Sequence, residues 1–408
     1  MTASSSPRRY SLASSASWEC SPEYVLSDRT GPFVKKIIVI GATGSVGRQT
    51  LEVVERHPDE FRIVGMSAHR DEAGLQAAAA RHPGAILCLS GAAASSGTIR
   101  HAGAAGLDRL IVDTDADIVL NAAAGSDGLR PSFAALSSGK DLALANKETI
   151  VMAGRLAMET AARLGRKILP VDSEHSAIFN MIERFGRASV RGVIITASGG
   201  AFRDLPVERL ASVRPVDALV HPTWNMGAKI TVDSASMANK GLEVIESARL
   251  FSLEPEEIEV VVHPESRIHS FIRTRDGSLY AQMSRPDMRL PIMNSLSWPR
   301  VLDDDVADMH PGDVMMHFFR ADPVRYPLLG LAYQALRDGE GATDAYNAAN
   351  EVAVEAFMDG RIAFTDIYRV VAGALEREYP GRLEDLEIVA EVDAKARSEA
   401  ALVLKELQ

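Results

Sequence analysis

A predicted strand, glycine turn and helix at residues 34–54 constrain the fold more than any other segment. Residues 34–40 form a short, largely apolar run typical of a buried parallel strand, and they lead into the turn GATGSVG at 41–47. Apolar residues then recur at helical spacing, at Val46, Val53 and Val54. Glycines let backbone N–H groups and a helix N-terminus approach a pyrophosphate, so the segment predicts half of a dinucleotide-binding fold. Because the spacing is GxxGxxG rather than GxGxxG, an ordinary tight turn is the alternative.

The end of the next predicted strand bears on the choice of nucleotide. This strand begins at Phe61 and finishes at His69 and Arg70, where an NAD site usually has an acidic residue. Arg70 favours the 2'-phosphate of NADP(H), although Asp71 beside it is acidic. The alternative is that Arg70 is a solvated loop charge.

Strand and helix patterns continue to alternate along the chain, at residues 85–90, 116–125, 141–154 and 167–185. This alternation predicts a doubly wound parallel sheet, in which ligands bind beyond the carboxyl ends of the strands. The polar residues at those ends are Asn121, Asn146, Lys147, Glu148, Asp172 and Glu174.

Asp172 and Glu174 are candidate ligands for a hard cation such as Mg²⁺ or Mn²⁺, since both follow a predicted strand. The alternative is that this DSE sequence caps a helix. Further along, a helix that starts near Ser236 would place Asn239 and Glu243 on one face, with Lys240 adjacent. Glu243 would then supply a third carboxylate.

Residues 221–243 are dense in side chains that could hold a phosphate or a polyol: His221, Lys229, Ser234, Asn239 and Lys240. Trp224 and Met226 lie close to Gly227, a composition typical of a mobile lid over a ligand.

A serine–glycine–glycine turn after another β-branched strand, residues 198–200, could hold an anion on its backbone N–H groups or be only a turn. Ser266 and His269 could face a pocket, but a histidine on a strand is more often structural. We assign them no role from the sequence.

Length, charge and cysteine content narrow the class of protein. A chain of 408 residues predicts two or three domains, and its net charge of −11 argues against nucleic-acid binding. Two cysteines, Cys20 and Cys88, fit a reducing compartment. No apolar run reaches the roughly 18 residues of a membrane span, so we expect a soluble protein. Residues 1–33 are rich in serine and predict a disordered extension; a transit peptide is the weaker interpretation.

Taken together, the motifs resemble those of the 1-deoxy-D-xylulose 5-phosphate reductoisomerase family. The motifs, in order, are GATGSVG, LANKE (144–148), VDSEHSAIF (171–179), ASGGAF, HPTWNMGAKITVDSASMANKGLEVIE and HPESRIHS. The resemblance covers about residue 35 to the end. It implies NADPH-dependent rearrangement and reduction of 1-deoxy-D-xylulose 5-phosphate to 2-C-methyl-D-erythritol 4-phosphate, in the methylerythritol phosphate route to isoprenoids. A divalent cation (Mg²⁺, Mn²⁺ or Co²⁺) would stabilise the enolate charge.

The resemblance also implies the fold class and domain order. This is an α/β fold with an N-terminal Rossmann-like doubly wound parallel sheet that binds NADPH (34–171) and a central α/β catalytic domain with the metal site and lid (172–306). A linker (307–331) and a C-terminal α-helical bundle (332–408) complete it. The family forms homodimers through the central domain. We expect a cytoplasmic location, in a bacterial cytosol, with a plastid as the weaker alternative.

Carried over residue by residue, the resemblance assigns each candidate a role. Asp172, Glu174 and Glu243 would bind the metal, and Lys147, Glu174, Glu243 and His221 would be catalytic. The substrate would contact Lys147, Ser173, Glu174, Ser198, His221, Ser234, Asn239, Lys240 and Glu243. NADPH would contact Thr43, Gly44, Ser45, Val46, His69, Arg70, Asp71, Asn146, Glu148 and Gly227. Trp224 and Met226 would belong to the lid. His69 and Asp71 depart from the glycine and asparagine usual in the family.

Two other classes of protein share the glycine turn. An ordinary NADP-dependent dehydrogenase acting on a semialdehyde would need a nucleophilic cysteine, and Cys88 has no such setting. A regulator that only senses NADP would not need three converging carboxylates.

Overall fold

The computed structural model describes residues 34–91, 97–224, 226–304, 306 and 308–407. The predicted extension, residues 1–33, and Cys20 lie outside this part of the chain. None of the helices in the described part is long and apolar enough to cross a membrane.

The described residues form two sheets and a set of helices. The strands are β1 (Lys35–Ile40), β2 (Phe61–Ala68), β3 (Ile86–Leu89), β4 (His101–Ala102), β5 (Ile118–Asn121), β6 (Asp141–Leu144), β7 (Ile168–Pro170), β8 (Val190–Ala197), β9 (Ile258–Val262), β10 (Ile268–Thr274), β11 (Leu279–Met283) and β12 (Phe319–Arg320). The α-helices are α1 (Ser45–Arg56), α2 (Glu72–Ala79), α3 (Gly103–Asp113), α4 (Leu129–Ser137), α5 (Lys147–Leu164), α6 (Ser173–Phe185), α7 (Pro215–Ala218), α8 (Ala228–Ser236), α9 (Ala238–Phe251), α10 (Arg289–Ser297), α11 (Pro327–Asp338), α12 (Glu340–Met358), α13 (Asp366–Leu375) and α14 (Leu386–Leu407).

The first sheet confirms the predicted doubly wound architecture. Its strand order is β4-β3-β2-β1-β5-β6-β7, and every neighbouring pair is parallel. The order reverses at β1, which has β2 on one side and β5 on the other, and this switch point opens a crevice at the carboxyl ends of the strands. Helices α1, α2 and α10 bury apolar side chains on one face of the sheet, and α3, α4 and α5 do so on the other.

The second sheet is mixed, with the order β11-β10-β8-β9-β12. Only β8 and β9 pair in parallel, whereas the other pairs are antiparallel. The strands β8, β9 and β10 share one continuous core with α6, α9 and the helices α11 to α13. The second sheet and the C-terminal helices are therefore packed as one apolar unit.

Two elements lie close to or across the proposed domain limits. The helix α10 lies within the range assigned to the catalytic domain, but Ile292, Met293 and Leu296 pack in the core of the first sheet. The helix α11 begins at Pro327, inside the predicted linker. The domain limits themselves remain a prediction.

Candidate active site

A cavity of about 610 Å³ lies where the carboxyl ends of the first sheet face the second sheet. The sequence-predicted residues that line it are Ser45, Val46, Lys147, Asp172, Ser173, Glu174, Ser198, His221, Trp224, Met226, Gly227, Ser234, Asn239, Lys240 and Glu243. Residues from distant parts of the chain thus converge on one volume.

The ends of β6 and β7 bring a lysine and an aspartate together. These strands pair in parallel, so the helices that follow them start side by side. Lys147 is the first residue of α5, and Asp172 caps the N-terminus of α6. The Nζ atom of Lys147 donates to Oδ2 of Asp172 over 3.0 Å.

Asp172 caps a helix and also presents an oxygen to the cavity. One carboxylate oxygen, Oδ1, accepts from the backbone N–H groups of Glu174 (3.2 Å) and His175 (3.5 Å), which is helix capping. The other oxygen points to Lys147 in the cavity. The cap fixes the carboxylate where a ligand is needed.

The third carboxylate comes from α9, which begins two residues after the predicted position. Met237 has a left-handed backbone (φ 63°) that separates α8 from α9. Asn239 and Glu243 lie one turn apart, as predicted, and Nδ2 of Asn239 donates to Oε1 of Glu243. Lys240 donates to Glu243 on the same helix and to Oε1 of Glu174 over 2.7 Å.

Asp172, Glu174 and Glu243 form a compact cluster, in which one carboxylate oxygen from each lies within 4.8 Å of the others. Lys147 also donates to Oε1 of Glu243 over 3.3 Å, and Lys240 bridges Glu174 and Glu243. Glu243 is only 1% exposed, so its charge needs nearby cations. The cluster fits a divalent cation because its donors are hard carboxylate oxygens within reach of one ion.

Lys147 and Lys240 are held in their protonated form. Burial would lower the pKa of Lys147, but the carboxylates of Asp172 and Glu243 outweigh burial and hold this pKa well above its ordinary value. For Lys240 burial is outweighed in the same way, first by Glu174, and its pKa is raised. Both side chains are fixed positive charges at neutral pH.

The two buried carboxyl groups of the cluster shift in opposite directions. Burial, reinforced by the charge of Glu174, raises the pKa of Glu243 to about 7. Burial also opposes ionisation of Asp172, but Lys147 and His175 outweigh it and keep the pKa of this carboxyl below its ordinary value. Asp172 is therefore ionised, whereas Glu243 gains or loses a proton near neutral pH.

A second group of side chains lies farther along the cavity wall. The Nε2 atom of His221 is 2.9 Å from Oγ of Ser198 and 3.1 Å from Oγ of Ser234. Nδ1 of His221 accepts from the backbone N–H groups of Thr223 (3.1 Å) and Trp224 (2.8 Å). The ring proton of the neutral form must therefore be on Nε2, which donates to the serine hydroxyl groups.

Burial and the nearby positive charge of Arg203 keep His221 neutral. Burial lowers the pKa of His221 to about 4, and the nearby charge of Arg203 contributes. Arg203 itself donates to the carbonyl oxygen of Ser198 over 2.9 Å. Two hydroxyl groups oriented by a neutral imidazole, with a guanidinium behind them, suit an anionic group such as a phosphate.

The turn that follows β8 is held against α8. Gly199 and Gly200 have φ values of 86° and 69°, a region that favours glycine. A Cβ atom added to Gly200 would lie 2.5 Å from the carbonyl oxygen of Ser234. The turn therefore needs glycine both for its backbone conformation and for its contact with α8.

The glycine turn after β1 has the form that a dinucleotide phosphate requires. Gly41 has φ 77°, and a Cβ atom on Gly47 would collide with the carbonyl oxygen of Gly41. Gly44 caps α1 in an extended conformation, without a side-chain hydrogen bond. Ser45 and Val46, at the start of α1, line the cavity. The N-terminal end of α1 therefore faces the site, as a pyrophosphate would need.

Several of the predicted nucleotide residues do not line this cavity: Thr43, Gly44, His69, Arg70, Asp71, Asn146 and Glu148. Asp71 caps α2 by accepting from the N–H group of Gly74, and Arg70 is exposed. Asn146 is 1% exposed; it caps α5 and donates to the carbonyl oxygens of Ala123 and Gly125. Its role in the structure is to join the loops beneath the nucleotide turn.

The structure also brings residues to the cavity that the sequence did not assign. Ser266 and His269 line it, and Nε2 of His269 is 2.8 Å from Oγ of Ser284. The ring of Trp224 lies 6.4 Å from that of His269, between centroids. Arg289, at the start of α10, also lines the cavity. The motif HPESRIHS was a signal for the first two, whereas nothing in the sequence marked Arg289.

Comparisons with known proteins give a consistent result. Three profiles match: 1-deoxy-D-xylulose 5-phosphate reductoisomerase at residues 37–154, the C-terminal domain of that enzyme at 168–251, and the DXP reductoisomerase C-terminal domain at 283–399. The chain is 42% identical to the 1-deoxy-D-xylulose 5-phosphate reductoisomerase of Geotalea daltonii over 91% of this chain and 100% of that protein. It is 43% identical to that of Pseudomonas aeruginosa over 90% of this chain and 97% of that protein.

Solved structures agree with the sequence relatives. The enzyme from Zymomonas mobilis in complex with NADPH superposes with a TM-score of 0.84 at 38% identity, over 92% of this chain and 100% of that chain. A DOX-P reductoisomerase in complex with NADPH, fosmidomycin and magnesium superposes with a TM-score of 0.84 at 35% identity, over 91% of this chain and 98% of that chain.

Proposed function

Because the chain belongs to the 1-deoxy-D-xylulose 5-phosphate reductoisomerase family, we propose that its cavity converts 1-deoxy-D-xylulose 5-phosphate to 2-C-methyl-D-erythritol 4-phosphate. The chain is an enzyme that uses NADPH as reductant and a divalent cation. The observation that carries this assignment is the cluster of Asp172, Glu174 and Glu243, which shares one cavity with the start of α1.

We propose that Asp172, Glu174 and Glu243 hold the divalent cation. Mg²⁺ is bound in a related structure, and Mn²⁺ and Co²⁺ suit the same oxygen donors. When bound, the cation acts as a Lewis acid toward substrate oxygens. Because Asp172 is fixed by the α6 cap and Glu243 by Asn239, the carboxylates are oriented in advance.

Lys147, placed among acceptors from α9 and the N-terminus of α6, is proposed to bind the hydroxyl and carbonyl end of the substrate with Ser173. Its Nζ atom lies 2.7 Å from Oδ1 of Asn239 and 3.0 Å from Oδ2 of Asp172. The sequence left open whether this lysine transfers a proton or stabilises charge. A raised pKa favours a fixed positive charge, because a general base must lose its proton near neutral pH.

The phosphate of the substrate is assigned to Ser198, Ser234, Asn239, Lys240 and His221. This group supplies hydroxyl, amide and ammonium donors, of which Asn239 and Lys240 also bond to the carboxylate cluster. Binding energy from the phosphate orients the reacting carbons, and a closed lid with Trp224 and Met226 would exclude water. We define the lid as the described residues 219–224 and 226–227, between α7 and α8.

NADPH is assigned to the carboxyl ends of the first sheet and to the lid residue Gly227. The predicted residues at these ends are Thr43, Gly44, Ser45, Val46, His69, Arg70, Asp71, Asn146 and Glu148. The turn geometry supports contact of the pyrophosphate with the start of α1. Arg70, exposed after β2, is available to a 2'-phosphate.

We further propose that the enzyme is a cytoplasmic homodimer. Leu279 and Tyr280, on the edge strand β11, are 50% and 40% exposed, and an apolar edge strand is a surface that a second copy can pair with. A cytoplasmic location fits a reaction between NADPH and a phosphorylated sugar, which are metabolites of the cytosol.

A thiol-dependent dehydrogenase is disfavoured by the setting of Cys88, the one cysteine in the described part of the chain. It is buried on β3, and burial raises the pKa of its thiol to about 11. A nucleophilic cysteine needs an exposed thiolate.

The test is loss of NADPH absorbance on addition of 1-deoxy-D-xylulose 5-phosphate, with and without EDTA. We expect oxidation that stops with EDTA and returns when Mg²⁺ or Mn²⁺ is added in excess. Oxidation that continues undiminished after chelation would exclude the role of the metal. No oxidation with this substrate, by protein that binds NADPH, would exclude the proposed reaction.

A further inference from the structure

Lys229 belongs to none of the groups assigned above, although it lies next to the lid. It is the second residue of α8 and follows the lid residue Gly227 by two positions. Thr231 anchors this end of the helix by donating through Oγ1 to the carbonyl oxygen of Gly227 over 2.8 Å. A contact made by Lys229 therefore acts on the point where the lid joins α8.

The ammonium group of Lys229 joins two carboxylates from different elements. Its Nζ atom is 2.9 Å from Oδ2 of Asp233, one turn along α8. It is also 3.5 Å from Oε1 of Glu148, at the start of α5. Asp233 and Glu148 are 1% and 7% exposed, so Lys229 compensates two buried charges. Burial would lower the pKa of Lys229, but these two carboxylates outweigh it and raise the pKa.

Glu148 extends the connection to the nucleotide side. Its Oε2 atom accepts from Nδ2 of Asn146 over 2.9 Å. Nδ2 of Asn146 also donates to the carbonyl oxygens of Ala123 (3.0 Å) and Gly125 (2.8 Å), in the loop after β5. The lid end of α8 is thus linked to the loop that follows the strand beside β1.

Asp233 extends the connection to the C-terminal helices. Its Oδ1 atom accepts from Nδ2 of Asn350, on α12, over 2.8 Å, and Asn350 is fully buried. The next residue, Glu351, accepts from Arg397 of α14 over 2.6 Å, and Arg397 reaches Oγ of Ser126 over 3.3 Å. Arg397 of α14 therefore joins α12 to the same loop that Asn146 holds.

We propose that Lys229 is a positioning residue that fixes the lid end of α8 and the Glu148 side of the NADPH site in one arrangement, supported by Asn350 of α12. This inference rests on the proposed function, since it concerns how the NADPH site is held. Lys229 acts through Glu148 rather than on the reacting atoms. The C-terminal helices thereby contribute to cofactor affinity without lining the cavity.

The test compares Lys229→Met with the double variant Lys229→Met/Asp233→Asn. The double variant removes the positive charge of Lys229 together with the negative charge of Asp233. The net charge is therefore unchanged, while Glu148 still loses its partner. We expect the NADPH dissociation constant, measured by NADPH fluorescence, to rise about tenfold or more in both. Binding of 1-deoxy-D-xylulose 5-phosphate with Mg²⁺, measured by calorimetry, should change less than about twofold.

Two controls separate charge from side-chain shape. Lys229→Arg should keep near wild-type NADPH affinity, and Lys405→Met, at an exposed lysine of α14, should leave it unchanged. In the absence of NADPH, backbone hydrogen exchange at the start of α8 should be faster in Lys229→Met and in the double variant than in wild type. That readout does not depend on turnover.

Each of the following results would overturn the inference, a part of it, or the proposed function. Wild-type NADPH affinity in the double variant would show that Lys229 only balances charge and would overturn the inference. An equal loss of affinity for NADPH and substrate would indicate general damage and also overturn it. Unchanged NADPH affinity in Asn350→Ala would remove the α12 part. If wild-type protein bound NADPH but did not turn over the substrate, the proposed function would fail while this inference still stood.

Discussion

Asp344 offers a quantitative test of the interior of the C-terminal helices. It lies on α12 and is fully buried, and neither of its carboxylate oxygens has a hydrogen-bond donor within the described residues. Burial, reinforced by Asp393 and opposed by Arg397, raises the pKa of Asp344 from 3.8 to about 8. The folded protein therefore holds a proton on this side chain at neutral pH.

The sign and size of the pH dependence of stability follow from this shift in pKa. Between pH 3.8 and about 8, the unfolded chain releases the Asp344 proton while the folded protein keeps it. Stability contributed by this group is therefore lost as pH rises, by about 1.4 kcal/mol for each pH unit. From pH 5.5 to pH 7.5 the expected loss is about 2.5 kcal/mol, a large fraction of the stability of a typical domain.

Asp344→Asn replaces the carboxyl with an amide of nearly the same shape that cannot ionise. The free energy of unfolding should be measured in urea at pH 5.5 and pH 7.5 for wild type and variant. We expect the variant to gain about 2.5 kcal/mol relative to wild type between the two pH values. Asp338→Asn, at an exposed position of α11, is the control and should show no such gain. An identical pH dependence in wild type and Asp344→Asn would refute the reasoning.

Three further predictions concern the active site. Glu243→Gln should abolish turnover and leave NADPH affinity nearly intact, because it removes negative charge from the metal site without touching the glycine turn; normal activity would contradict the three-carboxylate site. With a pKa of about 7, Glu243 must lose a proton to bind metal, so Mn²⁺ titration should give about tenfold weaker affinity at pH 6 than at pH 8, and a constant affinity would argue against this coupling. His221→Ala should raise the KM for the sugar phosphate roughly ten- to hundredfold, with a smaller effect on kcat, because Ser198 and Ser234 lose the donor that orients their hydroxyl groups and a hydrogen bond to a charged group is worth about 1.5–3 kcal/mol. Steady-state kinetics with NADPH saturating would test this, and an unchanged KM would remove His221 from the phosphate site.

Most of the first sheet was predictable because the patterns that mark its strands and turn lie within short stretches of sequence. Six of its strands are short, largely apolar runs, whereas β4, only His101–Ala102, has no such pattern. The turn after β1 is marked by glycines that the structure requires at Gly41 and Gly47. The pairing of Asn239 with Glu243 was predictable for the same reason, since residues four apart on a helix are neighbours.

Other parts of the site depend on contacts between distant residues. The stretch 221–243 was interpreted as one site segment, but in the structure it is a lid and two helices separated at Met237. The β-branched Thr231 and Val232 do not favour a helix; burial of both against the core outweighs this preference. The position of Lys240 between Glu174 and Glu243 requires α6 and α9 to pack together, which no pattern in either helix reveals.

The glycines beside the two ends of α8 differ in how closely they are packed. At the trailing end, a Cβ atom added to Gly200 would lie 2.5 Å from the carbonyl oxygen of Ser234, so the turn after β8 packs directly against the helix. At the leading end, a Cβ atom added to Gly227 would meet no described atom within 4 Å. Because Lys229 and Thr231 hold the first turn of α8, a movement of the lid at Gly227 would leave the spacing of Ser198 and Ser234 unchanged. A substrate bound first by its phosphate would therefore meet Ser198 and Ser234 at their final spacing before the lid closes over its other end.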